Sequence, residues 1–194
     1  MSLNVALNLR DSARNHPDKP AVIIGDTSLS YAQVHAMAQK FATALREQGV
    51  EPGDRVALML PNVPQFTIAY YGILYAGGVV VPLNVLLTEE EVAYHLDDAA
   101  AKSFVAWEGF LASAAPAFAR VVECHHLIVV EAGAPGSGAI PAEGKSFAAL
   151  VAAAEPMADL ATRSPDDTAV ILYTSGTTGK PKGAELSQFN IFFN

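Results

Sequence analysis

"DRVALMLPNVPQFTIAYYGILYAGGVVVPL", residues 54–83, carries no charge after Arg55, and the charge-free stretch continues to Thr88. A run this apolar is either a membrane span or the interior of a globular fold. Its own punctuation decides between them. Pro61, Pro64 and Pro82, with the Gly77-Gly78 pair, cut it into a strand length (54–61), a helix length (65–76) and a second strand length (79–83). Strand, helix and strand at this spacing make a βαβ unit, in which parallel strands are covered on both faces and are apolar throughout. The helix "QFTIAYYGILYA" is apolar nearly all round and should be deeply covered, with Pro64 suited to its first turn. Peripheral membrane contact stays open on this reading.

The alternation continues on either side. "AVIIGDTSLSY" (21–31) is a β-hairpin signal around Gly25-Asp26. Ser30 and Gln33 then form a capping box for a helix with Val34, Met37, Phe41, Ala44 and Leu45 on one face, stopped by Gly49. Thr88 and Glu91 form a second box, opening a helix through Val92 and Leu96. "KSFVAW" and "LIVV" (127–130) read as strands, with an alanine-rich helix near 108–120 between them. The N-terminus reads as an amphipathic helix ending before Pro17. Residues 131–146, rich in Gly, Pro and Ala, should be a surface loop, and about 154–167 a second irregular segment. The expectation is an α/β fold with a mostly parallel sheet flanked by helices. Residues 1–168 would be an N-terminal α/β subdomain, and 169–194 a strand, loop, strand and helix start.

Composition narrows the function. The 194 residues are 51 % hydrophobic, enough for a real core, and the net charge is -8 with no Lys/Arg run. That balance argues against nucleic acid as a partner. One cysteine, Cys124, excludes an internal disulfide, and the N-terminus lacks a signal-peptide pattern, so a cytoplasmic location is expected.

Against that acidic background stands "YTSGTTGKPKG" (173–183), which follows the β-branched run Val170-Ile171 and precedes a strand-like "GAELS". Gly176, Gly179 and Gly183 remove the Cβ barrier, so successive backbone amides can turn into one concavity. Thr174, Ser175, Thr177 and Thr178 add hydroxyls, and Lys180 and Lys182 add point charges. Amides, hydroxyls and ammonium groups around one turn make a phosphate receptor. It is not the P-loop of NTPases: Pro181 stands where that motif needs Ser or Thr, and no helix starts there.

"YTSGTTGKPKGAELS" (173–187) resembles the phosphate loop of the adenylate-forming acyl-CoA synthetases and their relatives. "LSYAQV" (29–34), "GVEPGDRVALMLPNVPQF" (49–66) and "YAGGVVVPLNVLLTEEEV" (75–92) are similar to that family's upstream segments in order and spacing. The resemblance implies the N-terminal part of that family's large domain. It also implies a fatty-acid–CoA ligase that joins a carboxylic acid to ATP and then to coenzyme A. Aryl- or coumarate–CoA ligases and amino-acid adenylation domains are alternatives within the family, and a non-catalytic nucleotide-binding or interaction module is an alternative outside it. In the family the segment matching Thr174–Gly183 holds the β- and γ-phosphates, and Lys182 falls at its catalytic PKG lysine. The Mg²⁺ ligands and the adenine, ribose and CoA contacts would lie beyond Asn194, so the 194 residues alone are expected to be inactive. Gln188 stands where the family usually has a histidine beside the acyl pocket.

Other clusters read as structural. Cys124-His125-His126 should be a packed thiol with solvated histidines, since neighbours on a strand face opposite sides. His16, His35 and His95 are isolated and carry no assigned role. Asp97-Asp98 and Asp166-Asp167 read as solvated caps, and Trp107, Tyr70, Tyr71 and Tyr75 as core.

Overall fold

A computed structural model of the chain describes residues 2–133, 138, 140–174 and 179–193. The chain enters through α1 (Leu7–Asn15) and a hairpin of β1 (Pro20–Ile24) and β2 (Thr27–Ser30). Ser30 caps α2 (Tyr31–Glu47): its Oγ accepts from the Gln33 amide, and Gln33 Oε1 accepts from the Ser30 amide. The long apolar run follows as β3 (Arg55–Met59), α3 (Pro64–Tyr75) and β4 (Val79–Pro82). Thr88 and Glu91 cap α4 (Glu89–Asp98) in the same reciprocal way. Next come β5 (Ala101–Trp107), α5 (Leu111–Ala119), β6 (His126–Val130), β7 (Gly144–Ser146) and α6 (Phe147–Ala153). The last elements are β8 (Thr168–Thr174), β9 (Lys182–Ser187) and α7 (Gln188–Phe192).

Seven strands form one sheet in the order β7-β6-β5-β3-β4-β8-β9, parallel at every pairing except β8 with β9. The central strand explains the charge-free sequence. Val56 and Leu58 enter one core with Phe41, Leu45 and Ile73 from α2 and α3. Ala57 and Met59 enter the other with Val92, Leu96 and Phe118 from α4 and α5. Burying each large side chain contributes about 1.5–3 kcal/mol, so both faces of the strand select apolar residues. The α/β expectation holds, with helices on both faces of a mostly parallel sheet.

Two segments differ from the sequence reading. The end of the expected surface loop, Gly144–Ser146, pairs with β6 as an edge strand; residues 134–137 and 139 of that loop lie outside the described residues. Directly after it, Ser146 Oγ accepts from the Ala149 amide and starts α6, which seats Phe147 4.6 Å from the Phe41 ring. Seven residues of "FAALVAA" are too short and too alanine-rich to display a helical stripe. Among the described residues, no helix is long and apolar enough to cross a membrane.

The N-terminal segment is tied to the end of the chain. Gln188 is fully buried, and its Oε1 accepts from the Val5 amide at 2.8 Å while its backbone N–H donates to Asp167 O. Asn4 Nδ2 donates to Leu74 O and Ala161 O, at 2.8 and 3.0 Å. In the Cys-His-His cluster, Cys124 is buried, and burial raises its thiol from 9.0 to about 12, while His125 is exposed.

Two outcomes are expected. Gln188→Ala leaves the buried Val5 amide without its acceptor and lowers stability by about 1–3 kcal/mol, read from the urea midpoint at unchanged slope. Cys124 resists a thiol-directed maleimide at pH 8 in the native protein and labels rapidly in denaturant; equal rates in both would contradict its burial.

Candidate functional site

The described part of the loop begins where β8 ends. Thr174, the last residue of β8, pairs across the hairpin with Lys182, the first residue of β9, and both are exposed. Because β8 lies parallel to β4, this loop leaves the carboxyl end of a parallel strand. Open α/β sheets bind their ligands outside that end. Ser175, Gly176, Thr177 and Thr178 lie outside the described residues.

The two described glycines have different physical reasons. Gly179 has φ +133° with open space where a Cβ would lie, so its constraint is backbone conformation alone. At Gly183 the constraint is crowding. A Cβ there would lie 2.8 Å from Ile171 Cγ2 and 3.3 Å from Tyr173 Cζ. The missing side chain makes room for the Tyr173 ring directly across the ladder.

Tyr173 leads to residues that the sequence reading did not select. Its hydroxyl donates to Asp98 Oδ2 at 2.7 Å, and its ring meets the buried His95 edge-on with centroids 4.3 Å apart. Burial and then the Asp98 carboxylate push the Tyr173 phenol well above its ordinary range, so it stays protonated and donates. Asp98 is exposed at the end of α4, as expected, and in addition accepts from Tyr173. A carboxylate in the last turn of a helix opposes the helix dipole and gains from a donor partner, which Tyr173 supplies. Tyr94, one turn before Asp98 on α4, donates its hydroxyl to Pro181 O at 2.9 Å. Its ring carries the Lys180 ammonium 5.1 Å from the centroid.

Tyr94, His95, Lys180 and Pro181 line a hollow of about 400 Å³ with Glu90, Glu91 and Arg120; Lys182 does not line it. Lys180 and Lys182 are thus placed apart, one against α4 and one at the start of the β9 ladder. A second hollow, about 540 Å³, opens at the amino ends of β3, β4 and β8. Its arginines are already engaged: Arg55 donates to Ala99 O, Ala100 O and Gly53 O, and Arg163 pairs with Asp167. Asp98, Asp166, Asp167 and Glu185 also line it, so this larger hollow is no receptor for an anion.

The missed residues left a weak signal. Tyr94 and Asp98 stand four apart, hence on one helix face. Nothing in the sequence says that this face meets a loop 87 residues later (Tyr94 to Pro181).

Comparison with known proteins agrees with the geometry. A family model described as "AMP-binding enzyme" matches residues 9–194. A long-chain-fatty-acid–CoA ligase of Bacillus subtilis is 34 % identical over 96 % of this chain and 37 % of its own length. An oxalate–CoA ligase of Arabidopsis thaliana is 31 % identical over 94 % of this chain and 35 % of its own. The crystal structure of a benzoate CoA ligase from Burkholderia xenovorans LB400 superposes with a TM-score of 0.84. It shares 30 % identity over 98 % of this chain and 35 % of that one. The chain thus spans little more than a third of the length of these relatives. With nearly its whole length matched, the chain belongs to the AMP-binding enzyme family.

Proposed function

We propose that this chain is the N-terminal part of an ATP-dependent carboxylate–CoA ligase and carries its triphosphate-binding loop. One observation carries the reading: a lysine-bearing, glycine-framed loop leaves the carboxyl end of a parallel strand, with Thr174 and Lys182 exposed at its two ends. In the reaction a carboxylate oxygen attacks the α-phosphorus of ATP, forming acyl-adenylate and releasing pyrophosphate. The CoA thiolate then attacks the acyl carbon, forming the thioester and releasing AMP. Loop residues Thr174–Gly183 hold the β- and γ-phosphates as negative charge grows on the departing pyrophosphate, and the Lys182 ammonium offsets that charge. Thr174, Ser175, Gly176, Thr177, Thr178, Gly179, Lys180 and Gly183 supply the cradle. Among the described residues no three His, Cys, Asp or Glu side chains gather as a metal site.

A fatty acid is the proposed substrate, supported by the Bacillus relative named as a long-chain-fatty-acid–CoA ligase. An aryl acid is the second reading, favoured by the fold match to the benzoate ligase at a comparable identity. Non-hydrolysable acyl-adenylate analogues separate the two: tighter inhibition of the full-length parent by long alkyl than by aryl analogues is expected.

Lys182→Ala in the full-length parent is expected to lower acid-dependent ATP–pyrophosphate exchange by roughly 10²–10³-fold, the usual loss when one preorganised charge partner is removed. An unchanged rate takes Lys182 out of the mechanism. The isolated 194 residues are expected to give no exchange at all, and measurable exchange would show that the adenylating machinery is complete within them.

A further inference from the structure

The loop has two ends, and α4 holds both. At the entry, the Tyr173 hydroxyl donates to Asp98 Oδ2 at 2.7 Å. At the exit, the Tyr94 hydroxyl donates to Pro181 O at 2.9 Å, and the Lys180 ammonium lies over the Tyr94 ring. The two attachments converge, because Asp98 Oδ1 is also 3.4 Å from the Tyr94 hydroxyl. The helix itself is anchored. Val92 and Leu96 are fully buried in the core, and His95 is buried between α4 and Tyr173 with its Nδ1 at Glu91 O.

We propose that Tyr94 and Asp98 are positioning residues of the phosphate loop, forming a clamp that fixes the separation and direction of its ends before nucleotide binds. The clamp rests on the reading of 174–183 as the polyphosphate site. A glycine-rich segment is costly to order on a ligand, and fixing its two ends on a packed helix removes part of that cost in advance. Pro181 is a suitable handle. It has no N–H of its own to compete for the phosphate, so its carbonyl can be spent on Tyr94 while Lys182, the next residue, keeps its place opposite Thr174. Gly183 lies beside the same device: a Cβ there would clash with Ile171 Cγ2 at 2.8 Å and press on the Tyr173 ring at 3.3 Å.

The test is steady-state kinetics of Tyr94→Phe, Asp98→Asn and Lys182→Ala in the full-length parent, with ATP and the carboxylic acid varied separately. Melting temperature is followed in parallel. Tyr94→Phe keeps the ring under Lys180 and removes only the hydroxyl. It is expected to raise the KM for ATP roughly 2–10-fold, the range of one lost hydrogen bond, with the KM for the acid unchanged. Asp98→Asn should act in the same direction. An unchanged KM for ATP in Tyr94→Phe, or equal rises for ATP and acid, overturns the clamp. If Lys182→Ala is defective in that case, the phosphate-loop reading survives without it. If Lys182→Ala also binds and uses ATP normally, the loop assignment fails and the clamp with it.

Discussion

The chain is arranged around the central strands β3 and β4, which are dry on both faces. Because α2 and α3 cover one side of β3 and β4 while α4 and α5 cover the other, the interiors of these two strands cannot carry a charge at tolerable cost, whereas the outer strands β7 and β9 carry Lys145 and Glu185 exposed. Arg55 illustrates the limit. It sits at the first residue of β3, and its guanidinium is satisfied by three carbonyl oxygens at the strand's amino end. Polar chemistry is thereby expelled to the strand ends. Of the two ends, the amino side holds a hollow whose two arginines are already engaged and whose lining includes four acids, whereas the carboxyl end of β8 leads into the glycine loop.

That exclusion also gives α4 its importance. A helix packed by Val92 and Leu96 against the sheet has its remaining face turned toward whatever follows the neighbouring strands. Here that face meets β8 and the loop exit, and the residues on it are three acids (Glu90, Glu91 and Asp98), two aromatic rings and no lysine of its own. Tyr94, His95 and Tyr173 form a connected set of rings, with centroids 5.5 and 4.3 Å apart, from the helix to the loop's first strand. A rigid element thus supports a loop whose own composition supplies little rigidity.

The division between what the sequence disclosed and what it concealed follows from range. The capping boxes at Ser30 and Thr88 and the hairpin at Gly25 are local chemistry, complete within four residues, and each appears where expected. The βαβ order was legible because proline and glycine cut residues 54–83 at element ends. The strand β7 was not, because three residues of "GKS" acquire strand form only by pairing with β6. Likewise the loop's composition suggested the phosphate receptor proposed above, while the contacts of Tyr94 and Asp98 with its ends had no signature beyond helical spacing. Gln188 is a mixed case. The departure from the family's histidine was visible, but its contact with Val5 joins residues at opposite ends of the chain.

On the proposed polyphosphate reading, an acidic chain faces one further difficulty: its own carboxylates compete for the lysines. Glu90 and Glu91 line the same hollow as Lys180, yet among the described residues Lys180 makes no ion pair, and its ammonium rests on the Tyr94 ring instead. The magnitudes make this arrangement useful. An exposed cation–π contact contributes about 0.5–1 kcal/mol, whereas a charge-assisted hydrogen bond to phosphate contributes about 1.5–3 kcal/mol. The ring holds the lysine weakly enough for an incoming phosphate to take it, and in a place where no carboxylate has yet claimed it. A tight surface ion pair with Glu91 would leave the same charge count but a less available cation, so the local placement of one aromatic side chain matters more here than the net charge of -8.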